Sequence, residues 1–70
     1  MTRDPVKSSN VKSIGYDQDK QLLEVEFRSG AVHQYQNVSP AKHQKMMRAK
    51  SIGGFFYENI RNFHPTEKVQ

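Results

Sequence analysis

Three histidines, His33, His43 and His64, are the only side chains suited by ordinary pKa to proton transfer near neutrality, and the chain has no cysteine to serve as nucleophile, thiolate ligand or disulfide partner. None of the three sits in a motif. His33 alternates with Tyr35 on a strand pattern, His43 falls on the inner arc of a helix pattern, and His64 precedes Pro65 near the end. Ordinary packing or surface positions account for all three. Glu24 and Glu26 share one strand face, as paired catalytic carboxylates would, yet outward alternating charges are what any half-exposed strand carries. His33 and His43 lie on different elements with no thiol or nearby acid to complete a metal site. Gly53-Gly54 lacks the Lys-Ser/Thr and the preceding strand of a phosphate loop and reads as a turn that breaks a helix. The chemistry expected is therefore not catalysis: no enzyme, metal, cofactor or small-molecule substrate.

The basic side chains point elsewhere. Residues 1–30 balance five bases against five acids, whereas residues 31–70 hold six bases, Lys42, Lys45, Arg48, Lys50, Arg61 and Lys68, against Glu58 and Glu67. The whole net charge of +4 lies in the second half, and no acid occurs from Ala31 to Tyr57. Such a field suits a polyanion. The bland alternative, lysines that only keep a small domain soluble, carries about equal weight. His33 and Tyr35, two apart on a strand, could present rings for stacking with unpaired bases, although a domain of this size needs its aromatics for burial and Tyr35 is expected in the core.

Those side chains need a scaffold, and the hydrophobic pattern supplies an α+β one. Val11–Tyr16 alternates, Asp17–Lys20 is a polar turn, and Leu23, Val25 and Phe27 alternate with Glu24, Glu26 and Arg28. Ser29-Gly30 turns the chain into a third segment, Ala31–Val38. Short connections make these a three-stranded antiparallel β-meander, because parallel partners need a crossover of a dozen residues or more. Ser39-Pro40 is an N-cap followed by proline at the first helical position, and it opens an amphipathic α-helix to about Lys50. His43, Met46 and Met47 form its inner arc, while Lys42, Lys45 and Arg48 lie on the outer surface. Phe55, Phe56, Ile60 and Phe63 then form a short C-terminal helical or turn segment. Leu23, Val25, Phe27, Met47, Phe56 and Ile60 are the expected core.

Seventy residues make one domain. Its body is expected at 8–63, with 1–7 and 64–70 as flexible tails. No apolar run reaches the ~18 residues of a membrane helix, and the start lacks a secretory core, so a cytoplasmic location without membrane partners is expected.

Ile14-Gly15-Tyr16-Asp17, Gly30, Val38, Pro40 and above all Ala49-x-Ser51-x-Gly53-x-Phe55-Phe56 followed by Ile60-Arg61 resemble the KTSC domain, a module found at the C-terminus of some lysyl-tRNA synthetases and as stand-alone small bacterial and phage proteins. The family's central Tyr-x-Tyr stands here as His33-Gln34-Tyr35. Through the synthetase association, the resemblance implies RNA binding. The expected function is thus a small nucleic-acid-binding module for RNA. Lys42, Lys45, Arg48, Lys50 and Arg61 would hold phosphates, with His33 or Tyr35 stacking. The alternative is a protein-interaction adaptor for an acidic protein, anchored by an exposed aromatic of the 55–57 segment.

Overall fold

The segment in which Leu23, Val25 and Phe27 alternate with acids is the middle of a sheet. The computed structural model describes residues 1–70 as β1 (Asp4–Pro5), β2 (Val11–Asp17), β3 (Leu22–Phe27), β4 (Val32–Tyr35), α1 (Pro40–Arg48), α2 (Ile52–Asn59) and β5 (Thr66–Lys68). The strands lie in chain order β1-β2-β3-β4-β5, every neighbouring pair antiparallel. The α+β class and the meander of β2, β3 and β4 match the sequence pattern. The strand count does not: there are five strands, not three. The two extra strands come from segments expected as loose tails, which pair along the sheet edges. No helix is long and apolar enough to cross a membrane.

Cross-strand pairs Ile14↔Val25, Tyr16↔Leu23, Leu23↔Tyr35 and Val25↔His33 put these side chains on one face. The pairs Ser13↔Glu26 and Glu24↔Gln34, with Gln34↔Glu67, define the other. Strict alternation from Ile14 would turn Val11 away from the core. A register shift between Val11 and Ser13 absorbs Lys12 as a bulge, so that Val11 pairs with Phe27 and is fully buried. The β3–β4 turn requires Gly30, whose φ is +98°.

Both helices cover the first face. Ser39 caps α1 by accepting from the Lys42 amide, and Ser51 caps α2 by accepting from the Gly54 amide. Helix α1 ends at Arg48, so Lys50 lies in the link between the helices and not in the last turn as expected. Gly53-Gly54 is not the expected turn either. It lies in the first turn of α2, where a Cβ on Gly53 would come 3.0 Å from the Ser8 hydroxyl and one on Gly54 would come 2.9 Å from the Ser51 hydroxyl.

The core is Val11, Ile14, Leu23, Val25, Tyr35, Val38, Met46, Phe56 and Ile60. Phe56 is its hub. Its ring centroid lies 5.0 Å from that of Tyr35 and 5.7 Å from that of Phe27, both edge-on. Of the expected inner arc, Met46 is buried and His43 half-buried, whereas Met47 is exposed and Lys42 is half-buried in its stead. The buried arc of α1 is therefore turned by about 40° from the sequence expectation, toward Lys42 and away from Met47. Phe27 is half-buried at the margin of the cluster.

The second face is polar and largely self-paired. Arg3 Nη1 donates to Glu24 at 2.6 Å, Gln34 donates to the other Glu24 oxygen at 2.9 Å, and Ser13 donates to Glu26 at 2.7 Å. Glu24 is almost fully buried. Burial alone would raise its carboxyl, but the hydrogen bonds from Gln34 and Arg3, the Arg3 charge and the amino terminus together hold it below the usual range. Arg3 reaches Glu24 because residues 1–3 lie directly over Gly15, where a Cβ would come 2.7 Å from the Thr2 carbonyl.

Removing the hub is expected to cost most. Phe56→Ala should destabilise by about 3–5 kcal/mol, with Met47→Ala within about 0.5 kcal/mol of wild type, both read from urea titrations. Arg3→Ala leaves the Glu24 carboxylate with one donor in place of two and without its counter-charge. A loss of about 1.5–3 kcal/mol in the same titration is expected.

Candidate nucleic-acid interface

Residues 40–63, the helical layer and its links, carry five bases, Lys42, Lys45, Arg48, Lys50 and Arg61, against the single acid Glu58. The strands and their connections hold six of each sign, so the entire net charge of +4 sits on the helical side. The only salt bridges are those of Arg3 with Glu24 and Glu26, on the opposite face of the sheet. All five helical-side bases are thus free of carboxylate partners.

Lys42, Lys45 and Arg48 follow one another at intervals of three along α1 and span about 9 Å. Lys45 and Arg48 are exposed in the last turn, where they complement the carbonyl end of the helix. Lys42 and Lys45 also line a groove of about 330 Å³ between the helices, floored by Phe55 and Asn59. Lys50 is exposed in the link that follows. Arg61, just past α2, lies apart from this row, its guanidinium 5.1 Å from the centroid of the Tyr57 ring.

Lys42 is held by a contact that the sequence pattern does not reveal. Its Nζ lies 2.9 Å from His64 Nε2, and His64 Nδ1 lies 2.9 Å from the Gln36 carbonyl. An ammonium can only donate, so Nε2 accepts and Nδ1–H donates, which fixes His64 as one neutral tautomer. Burial and the Lys42 charge lower the His64 pKa against the opposing pull of the Gln36 carbonyl. The same ammonium lies 5.9 Å from the centroid of Phe63, a ring 67% exposed. The only signal for this cluster in the sequence is the adjacency of Phe63 and His64, and the distance of 22 residues to Lys42 hides the rest.

The aromatic pair expected to stack is not available. Tyr35 is 2% exposed, its ring edge-on against Phe56 in the core, so it has no face to offer a base and leaves the binding set. Burial raises its phenol pKa. His33 is half-buried, edge-on to Phe27 with centroids 5.4 Å apart, and its Nδ1 is 3.5 Å from the Tyr35 hydroxyl. Among Phe55, Phe56 and Tyr57, only Tyr57 is exposed, at 36%. A third histidine, His43, stacks flat on Tyr16 at 4.2 Å, and the Tyr16 hydroxyl donates to the Val38 carbonyl at 2.5 Å. Burial lowers the His43 pKa.

An antiparallel five-stranded meander with two short helices on one face, the second opened by Ser51-Ile52-Gly53-Gly54, defines the class of domain. The KTSC domain profile matches residues 7–63, and the chain belongs to that family. The crystal structure of a KTSC domain protein from Yersinia pestis superposes with a TM-score of 0.94 at 40% identity, covering 99% of this chain and 97% of that one. A protein of Stutzerimonas stutzeri is 41% identical over 64 residues, 91% of this chain and 90% of its own length. One from Tsukamurella paurometabola is 37% identical over 51 residues, 73% and 76% of the respective chains.

His43 and His64 make stability pH-dependent. Both bind protons less readily folded than unfolded, so their contribution is full above about pH 6.5 and is lost as pH falls below it. Melting by circular dichroism should give a lower Tm at pH 5.5 than at pH 7.5. His43→Phe, which keeps a ring against Tyr16, should shrink that difference.

Proposed function

We propose that this KTSC domain binds RNA through its helical layer, with Lys42, Lys45, Arg48 and Lys50 on phosphates and Arg61 contributing from beyond α2. The observation that carries the reading is the placement of the whole net charge on one side of the sheet, on side chains without carboxylate partners. A domain that needed lysines only for solubility would gain as much from bases spread over both faces. Phosphate contacts of this kind supply affinity and orientation but little sequence selection.

Three to five phosphate contacts give a measurable signature. Each neutralised phosphate releases counterions, so the logarithm of affinity should fall against the logarithm of salt with a slope of about −2 to −3.5 for a single strand. Replacing Lys45 and Arg48 together by Glu should abolish binding and lower the Tm by only a few degrees, the effect of reversing two charges at the carbonyl end of α1, because both side chains are exposed. Fluorescence anisotropy over a salt series, on wild type and this double variant, tests both. No binding at low salt, or equal affinity in the double variant, would transfer the function to an adaptor anchored at Tyr57.

A further inference from the structure

We infer that the RNA is taken as a single strand, with unpaired bases stacked on Phe63 and on Tyr57. This rests on the RNA-binding reading above and names the substrate class within it. Phe63 and Tyr57 are the only aromatic rings among the exposed large apolar side chains, at 67% and 36%. Leaving a phenylalanine two-thirds in water forgoes most of the stabilisation that burying it would contribute. Each ring has a cation beside it: Lys42 at Phe63 and Arg61 at Tyr57.

The pairing decides the partner chemistry. Neither cation has a carboxylate partner, and each lies over an exposed aromatic ring with its charge unneutralised. An apolar protein segment would have to desolvate those charges to reach the rings. A nucleotide matches both halves of each site, its base on the ring and its phosphate on the ammonium or guanidinium. A duplex could satisfy the cations but presents no base face, because its bases are stacked on one another.

His64 strengthens the assignment at Phe63. By holding Lys42 at 2.9 Å, it fixes the ammonium next to the ring before any ligand arrives, so less side-chain freedom is lost on binding. Lys42 also lines the groove that holds Phe55, Asn59 and Lys45.

The test compares a fluorescein-labelled 12-nucleotide single-stranded RNA with the same strand annealed to its complement, at low salt, by anisotropy on the full chain. Wild type should bind the single strand about tenfold or more tighter. Phe63→Ala should weaken single-strand binding by about five- to a hundredfold, leave duplex binding unchanged and hardly alter the Tm, and Phe63→Trp should restore the preference. Tyr57 also touches Phe56, so Tyr57→Ala is judged only alongside its Tm; Tyr57→Phe, which keeps the ring, should bind as wild type. Equal affinity for the two RNAs, or an unaltered single-strand affinity in Phe63→Ala, overturns the stacking inference while the phosphate reading stands. Failure of wild type to bind either RNA overturns both.

Discussion

The insertion of Phe56 between Tyr35 and Phe27 is the contact on which the rest of the structure depends. Helix α2 has eight residues with two glycines in its first turn, a segment that would not hold a helix in isolation. It is helical because Phe56 and Ile60 are drawn into the sheet and because Ser51 caps its start. Its position then sets that of its neighbours. The chain has only six residues between α2 and β5, so the edge strand can pair with β4 only if α2 is docked. The groove beside α1 exists for the same reason, with Phe55 as its floor.

The two faces of the sheet handle charge in opposite ways. On the face away from the helices, acids and bases meet one another: Arg3 answers Glu24, Ser13 holds Glu26, and Gln34 fills the remaining position on Glu24. The outcome is a closed polar surface with few unmet demands. On the helical side, Lys42 lies against an imidazole and a ring and Arg61 against a ring, and none of the five bases meets a carboxylate. A fold under selection for stability alone would have no reason to sort its charges so completely.

What the sequence made legible was local. The alternation of Leu23, Val25 and Phe27, the Ser29-Gly30 turn and the Ser39-Pro40 cap each report a conformation set within a few residues, and each holds in the structure. The misreadings involve contacts between distant segments. Asp4-Pro5 and Thr66–Lys68 carry no alternation of their own and become strands only because β2 and β4 present free edges to them. The Lys12 bulge that turns Val11 inward is invisible to a strict period of two. On α1, Met46 and Met47 are equivalent by hydropathy; the flat stack of His43 on Tyr16 and the seat of Lys42 beside His64 decide which of them faces the sheet. At the candidate interface, the basic row on α1 was readable as a run of charges, whereas the stacking surface was not. Tyr35 was expected in the core and lies there, whereas Phe63, grouped in sequence with Phe55, Phe56 and Ile60 as one apolar segment, gave no sign of its exposure.

The sorting of charge also bears on encounter, before any contact forms. A molecule about 27 Å across whose four excess positive charges all lie on one side has a permanent electric dipole directed through its sheet. In the field of a polyanion, that dipole experiences a torque that turns the helical side forward during approach, so a larger share of collisions arrives in the productive orientation. Distributing the same four charges evenly would preserve the net attraction and lose the alignment. The two faces of the sheet therefore act jointly: the neutral one, by cancelling its own charge, makes the other directional.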